Sequence, residues 1–540
     1  MRALAATTPA RQDGAGVPAG GFDETLAVTA AHAAAGLRAT MMGEFDPVHG
    51  GFGGAPKFPQ PSSLDALLRH AVAAGDAGAR DAVLLTLRRM AEGGLYDHLG
   101  GGFFRYSTDA QWIIPHFEKM LYDNGPLLRL YAHAWQVSGE PLFRQVCEGT
   151  AAWLMREMQA HDADGANGAN GGGYFSSIDA DSEGAEGRFY VWQRDEVAQQ
   201  LGAAEFAAFA LHYGLDAAPN FEGRAWHLRA AVPLAEVAAR LGRPPAECEA
   251  QIDTARARLF SSREARVRPG RDDKVLTAWN ALAIDGLAFA ARVFDQPRWA
   301  ESARRALDFI AGALWRDGRL LATHRCGRSH LNAYLDDHAF LLAALLELMQ
   351  GRPLRATDLR FACALADVML EQFEDARDGG FFFTRHDHET LVLRPKAGHD
   401  GATPSGNGIA ALQLQRLGHL IGEPRYLEAA RRALALFAAE VQRMPQGYPT
   451  FVNALAEHVS PATQVVLVGP DAACAAWSAA LERDYRPAQM VLQLPRDVAG
   501  LPATLAKPVS ADPQAWVCRG RQCLAPIADI ETLAATLACG

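Results

Sequence analysis

The sequence predicts a mainly α fold, an (α/α)6 toroid of helical hairpins with short β-hairpins at one mouth and a small C-terminal α/β appendage. Two observations carry that prediction. Apolar stripes at i, i+3, i+4, i+7 recur from about residue 22 to about residue 460, and one glycine-aromatic loop type returns between them. About six helix-loop-helix units with one stripe each bury it by closing into a double ring, whereas an open solenoid needs polar end caps that the sequence does not show. The chain accordingly divides into a flexible tail over 1–20, the ring over 21–460 and the appendage over 461–540.

Taken in order, Leu64, Leu67, Leu68 and Ala71 form the first clear stripe, behind the capping candidates Ser62 and Ser63. Leu127, Leu128, Tyr131, Ala134 and Trp135 repeat it, and further stripes cover 143–158, 279–291, 299–314, 340–348, 359–373, 409–420 and 426–437, for twelve to fourteen helices in all. The recurring loops are Gly-Gly-Phe-Gly-Gly at 50–54, Gly-Gly-Gly-Phe-Phe-Arg-Tyr at 100–106, Gly-Gly-Gly-Tyr-Phe-Ser at 171–176 and Gly-Gly-Phe-Phe-Phe-Thr at 379–384. A weaker copy is Asp-Gly-Arg-Leu-Leu-Ala-Thr at 317–323, and each reads as a glycine turn feeding a short strand or hairpin. Residues 162–173, rich in Asp, Asn, Ala and Gly, read as a mobile insertion. Beyond 460 the pattern changes to strands at 463–468 and 490–494, a helix at 471–483, a strand pair at 516–524 and a last helix at 529–538.

Composition narrows the function classes. With 49% hydrophobic and 21% charged residues the chain is an ordinary globular protein, and a net charge of -10 gives no footprint for nucleic acid or an anionic membrane. No run approaches the eighteen apolar residues of a membrane span. The eight cysteines are scattered without a CxxC or a zinc-site spacing, so a reduced, cytoplasmic setting is expected, with no metal and no cofactor.

Chemistry concentrates in 93–126, where His98, His116, Glu118 and Asp123 crowd among aromatics; a core tolerates such groups poorly and a solvated surface has no use for the rings. A pocket uses both. His98 and His116 are the natural proton carriers and Glu118 a carboxyl acid or base, while Arg105, Trp112, Tyr122 and Asp123 would hold a ligand. Asp179 and Asp181 begin a second group; with Glu183 and Gly184 they match part of a calcium loop, but Tyr190 stands where the bidentate Glu belongs, so a carboxylate pair or hydroxyl clamp remains. Trp279 and Asn280 open a helix after Asp272-Asp273-Lys274, and Asp336-Asp337-His338 opens another. Lys396, Asp400 and Asn407 lie on a tight Gly/Pro path, and together with Trp279 and Asn280 they would also bind the substrate. All these places are loops or helix starts after a repeat unit, so Glu118, Asp179, Trp279 and Lys396 are expected to share one hollow.

Gly50-Gly-Phe-Gly-Gly-Ala-Pro-Lys-Phe-Pro59, Pro115-His-Phe-Glu-Lys-Met-Leu-Tyr-Asp123, Asp179-Ala-Asp-Ser-Glu-Gly184, Asp272-Asp-Lys-Val-Leu-Thr277, Leu335-Asp-Asp337 and Pro404-Ser-Gly-Asn407 resemble the thioredoxin-domain-containing family of the YyaL and spermatogenesis-associated protein 20 type. The resemblance implies a toroid like those of N-acylglucosamine 2-epimerases and six-hairpin glycosidases. It also implies a preceding thioredoxin-like domain with a Cys-His-Trp-Cys-His-type motif, whose cysteines residues 1–44 do not supply. His338 departs from the aromatic more usual in the family.

Together these readings lead to a carbohydrate-active enzyme, foremost an epimerase or isomerase of a mono- or disaccharide working by His/Glu proton transfer. Glycoside hydrolysis drawing on Glu118, Asp179, Asp181 and Asp336 is the alternative, and a non-catalytic sugar-binding or scaffold module partnering a thioredoxin-like protein is a reading of another class.

Overall fold

The computed structural model describes residues 19–160, 171–389, 391–495 and 500–538, so the expected tail and most of the expected insertion at 162–173 lie outside the described residues. Twelve of its helices form two concentric rings. In chain order they begin with α1 (Ala19–Glu44), α2 (Pro61–Ala73), α3 (Ala77–Glu92), α4 (Leu121–Ser138) and α5 (Pro141–Trp153). A satellite of α6 (Arg194–Gln200), α7 (Ala203–Tyr213), α8 (Leu234–Leu241) and α9 (Pro245–Arg263) intervenes. The rings resume with α10 (Thr277–Val293), α11 (Pro297–Phe309), α12 (Leu335–Leu348), α13 (Ala356–Gln372), α14 (Gly406–Ile421), α15 (Pro424–Arg443) and α16 (Pro449–Val459).

The inner ring runs α2–α4–α10–α12–α14–α16 and back to α2, each helix packing on the next. Five outer helices, α3, α5, α11, α13 and α15, each pack on the inner helix just before them in sequence. The sixth hairpin is different: its outer helix is α1 and its inner helix is α16, so the two ends of the ring segment close it. Inner helices such as α10 and α14 are buried almost all round, as helices flanked by ring neighbours and covered by an outer layer must be. Proline opens α2, α5, α11, α15 and α16, where its missing N–H costs no helix bond.

The satellite has a core of its own around Trp192, Phe209, Tyr213 and Leu259. Its helices escape a search for leucine stripes because three of them are short and the fourth, α9, is rich in alanine and charge. The glycine-aromatic loops close with single bridges, Phe45 with Phe52, Tyr96 with Phe103, Gln159 with Tyr174 and Glu374 with Phe381, and those at 100–106 and 171–176 run on into the expected short strands, Tyr106–Ser107 and Ser177–Ile178. The weakest copy instead builds the one long hairpin of the ring, Arg319–Arg325 against Arg328–Asn332, because alternating Leu320, Ala322 and His324 can bury one face.

After the ring, β1 (Thr463–Val468), α17 (Asp471–Leu481), β2 (Gln489–Gln493), β3 (Gln514–Arg519), β4 (Gln522–Cys523) and α18 (Ile530–Ala538) form the α/β unit, with sheet order β2-β1-β3-β4. The β1 to β2 pair is parallel with α17 as crossover, and β3 runs antiparallel to β1. This unit closes the C-terminal end of the ring: Arg416 donates to the Pro487 carbonyl at 2.9 Å, Gln136 to the Glu482 carbonyl at 2.7 Å, and the Val491 N–H to Gln350 at 3.1 Å. No described helix is long and apolar enough to cross a membrane.

Candidate functional site

The six inner helices all start at the end of the ring opposite the α/β unit, and their first turns touch around the rim. The Tyr122 ring of α4 meets the Trp279 ring of α10 edge-on with centroids 4.7 Å apart. The Ala278 N–H of α10 donates to Asp337 of α12 at 2.9 Å, Asp336 lies against Gly406 of α14, and the Thr450 hydroxyl of α16 donates to Asp400 at 2.8 Å. Six positive helix ends facing one opening favour negative or polar groups there.

Much of what the sequence singles out builds this rim. Asn280 accepts the Tyr174 N–H at 2.6 Å and donates to the Tyr174 and Leu276 carbonyls at 2.9 Å, while Asn407 does the same with Phe381 and the Ala397 carbonyl. Asn124 clasps Phe103 identically. Each amide therefore satisfies the backbone of the aromatic that follows a glycine turn, and the expectation that Asn280 and Asn407 bind substrate is corrected. Lys396 is corrected likewise. Its Nζ donates to Asp375 at 2.7 Å and to the Gly379 carbonyl at 3.1 Å, repeating Lys57 with Asp46 and Gly50 and Lys119 with Asp97 and Gly101. All three ammonium groups are buried and spend their protons on holding an Asp-x3-Gly-Gly turn.

Three other expectations change. His98 is buried between Tyr96 and Tyr213, its Nε2–H donates to the Gly93 carbonyl at 2.8 Å, and burial pushes its pKa down to about 3, so the ring is uncharged near neutral pH with its one proton held in that bond. Trp112 is wholly buried on Gly51, donating to the His49 carbonyl at 3.0 Å, and offers no face to a ligand. Asp179 and Asp181 are exposed and line none of the described cavities. With Asp179 in solvent and Lys396 inside its clasp, the expected hollow shared by Glu118, Asp179, Trp279 and Lys396 is not formed.

What the rim does bring together is His116, Glu118, Arg105, Tyr122, Asp123 and Trp279. His116 Nδ1 lies 2.7 Å from Glu186 and its Nε2 3.1 Å from Glu118, whose same oxygen accepts from Arg105 at 3.0 Å. Arg105 also reaches the Tyr122 hydroxyl. A ladder of stacked rings, Phe58 on Tyr106 on His116, leads outward from this network. Asp123 is buried behind it with its Oδ2 unpartnered; burial first and the neighbouring Glu118 raise its pKa well above the ordinary carboxylate value, against the pull of Arg105. Burial alone lifts Asp336 to about 6. Asp400 sits at about 7 for the same main reason, with both oxygens already engaged by Ser405 and Thr450.

Below the rim lies a cavity of about 120 Å³ on the ring axis. Pro126 and Leu282 are in its wall, each one turn further along its helix than Asp123 and Trp279, so those two stand directly above it. The cavity holds charged groups that the sequence reading did not single out. Arg129 donates to Asp285 at 2.9 Å and to Glu347 at 2.9 Å, Asp65 meets Arg69 at 2.8 Å and accepts from Asn453 at 3.2 Å, and Arg416 donates to Glu457 at 2.8 Å. The buried Asn453 leaves its Oδ1 without a partner. A signal existed: Arg129, Asp285, Glu347 and Arg416 each have apolar neighbours within a buried inner helix, where an unpaired charge costs several kcal/mol. Among the described residues no group of three or more His, Cys, Asp or Glu is placed to hold a metal ion.

Comparison with known proteins agrees with the sequence resemblance. No protein-family model matches the chain. Spermatogenesis-associated protein 20 of Homo sapiens is 32% identical over 534 residues, 90% of this chain and 66% of that protein. The Rattus norvegicus protein of the same name is 33% identical over 464 residues, 79% of this chain and 58% of its own length. The chain thus spans about three fifths to two thirds of these relatives. Among solved structures, cellobiose 2-epimerase from Spirochaeta thermophila DSM 6192 superposes with a TM-score of 0.49 at 15% identity, over 81% of this chain and 97% of that one. The cellobiose 2-epimerase of Bacillus thermoamylovorans B4167 gives 0.48 at 8% identity, over 76% and 85%.

Proposed function

The chain belongs to the family of spermatogenesis-associated protein 20, and from that premise we propose that its toroid is a carbohydrate-active enzyme that epimerises or isomerises a small reducing sugar at the rim. The observation that carries this reading is Asp123, a buried carboxyl with a free oxygen, set between the His116–Glu118–Arg105 network and the Tyr122–Trp279 walls and above a polar axial cavity. An open-chain sugar offers a carbonyl and a row of hydroxyls, which suits a pocket with both donors and acceptors and no strong net charge. Asp123, kept protonated by burial, donates to the carbonyl oxygen while Glu118 takes the proton from the adjacent carbon. His116, facing a carboxylate on each ring nitrogen, returns a proton to the carbon of the enediol while Asp123 takes back the hydroxyl proton to restore the carbonyl, and Glu118 then passes the proton it removed to His116. Trp279 stacks on the sugar.

Incubation with a panel of reducing sugars in deuterated water tests this. Solvent deuterium at C2 that disappears in Asp123→Asn and Glu118→Gln, with folding unchanged, is the expected result. Cleavage of glycosides without C2 exchange favours hydrolysis, for which Asp336, lifted to about 6 by burial, is the acid to examine. Saturable binding without either reaction reduces the rim to a recognition site.

A further inference from the structure

Cys518 on β3 and Cys523 on β4 stand directly opposite each other and are disulfide-bonded, which corrects the expectation of eight unpaired cysteines. We propose that this pair is a reversible thiol–disulfide exchange site for a small anionic thiol. Position and surroundings support the proposal. The two cysteines enclose only Arg519, Gly520, Arg521 and Gln522, so the bond ties one hairpin to itself and fastens no distant parts of the fold. The hairpin forms the outer edge of the sheet, far along the strand order from β2, whose backbone contacts the ring.

Access is one-sided. Cys523 is exposed, whereas Cys518 is 6% exposed and packed beside β1. Arg519 at the end of β3 and Arg521 in the connecting turn, both exposed, provide the positive surroundings that attract an anionic thiol and favour thiolates. Cys147, Cys248 and Cys474 are buried.

The chemistry follows from that asymmetry. A thiolate RS⁻ attacks the Cys523 sulfur, forming an RS–Cys523 mixed disulfide and releasing Cys518 as thiolate. A second RS⁻ attacks the R sulfur of the mixed disulfide, giving RSSR and the Cys523 thiolate. The protein gains two electrons from the two thiols, and two protons from solvent complete the dithiol; oxidised RSSR reverses the sequence.

The full chain equilibrated in buffers of reduced and oxidised glutathione, followed by differential alkylation and peptide mass spectrometry, tests this. The expected result is a complete interconversion of the 518/523 pair across the buffer range with the circular dichroism of the folded protein unchanged. Cys518→Ser should then trap one glutathione on Cys523, and Cys523→Ser should take up at least tenfold less. A pair that stays oxidised until the chain unfolds overturns the proposal, as does equal glutathione uptake by the two variants.

Discussion

A Cβ on Gly286 of α10 would sit 2.1 Å from the Gly125 carbonyl oxygen of α4, and a Cβ on Gly125 would sit 2.4 Å from the Leu282 carbonyl oxygen. Two glycines facing each other let these inner helices meet backbone to backbone. Gly286→Ala must therefore push α10 away from α4 and shift Tyr122 from Trp279. Thermal and denaturant unfolding should show a loss of about 1–3 kcal/mol, the usual cost of overpacking.

The amide clasps are structural, so removing one should be felt in stability. Asn280→Ala leaves the buried Tyr174 N–H and carbonyl without their partner, at a cost of about 1–3 kcal/mol. An equilibrium urea titration reads it. A midpoint equal to that of the unaltered protein would return Asn280 to the list of ligand-facing residues.

The lysine clasps differ in depth. Asp97 holds both Lys119, at 2.7 Å, and Arg263, at 2.8 Å, and all three are buried where the satellite meets the ring. Asp97→Ala strands two buried cations and should cost about 3–5 kcal/mol. Asp375→Ala strands only Lys396 in a more exposed turn and should cost less. Comparing the two variants in one denaturant series checks the order.

Stability should also carry a signature in pH. Asp400 has a folded pKa of about 7, raised chiefly by burial, against an unfolded value of 3.8. Between those values the folded state binds the proton and the unfolded state does not, so this group's contribution falls as pH rises from about 4 to 7 and stays low above it. Asp400→Asn, which keeps an oxygen for Thr450, should flatten the difference in unfolding free energy between pH 5 and pH 8 by a few kcal/mol at most, measured by urea unfolding at both.

The ring was legible because its cause is local: Leu64, Leu67 and Leu68, or Leu127 and Tyr131, announce a helix face within one turn of sequence. The site was legible only in part. His116, Glu118, Tyr122 and Asp123 sit within a few positions of one another at one helix start, and their neighbourhood survives folding. Asn280 looked the same on paper, but its partner Tyr174 lies 106 residues away, and nothing in the text says that an amide will meet a backbone there. His98 differs from His116 only in what covers it, and that cover comes from Tyr213 and Arg256 in the satellite. Arg129 could have been found, since a guanidinium between Leu128 and Leu130 demands a buried partner, and Asp285 and Glu347 answer from two other helices.

The pairing of α1 with α16 makes the ring a clasped bracelet. During synthesis α1 emerges first and must wait for nearly the whole ring to be translated before its mate exists, so until then an apolar flank stays bare and open to the wrong neighbour. For the same reason a fragment begun after Glu44 would leave α16 uncovered on its outer side, and trimming either end of the ring segment opens it as a whole.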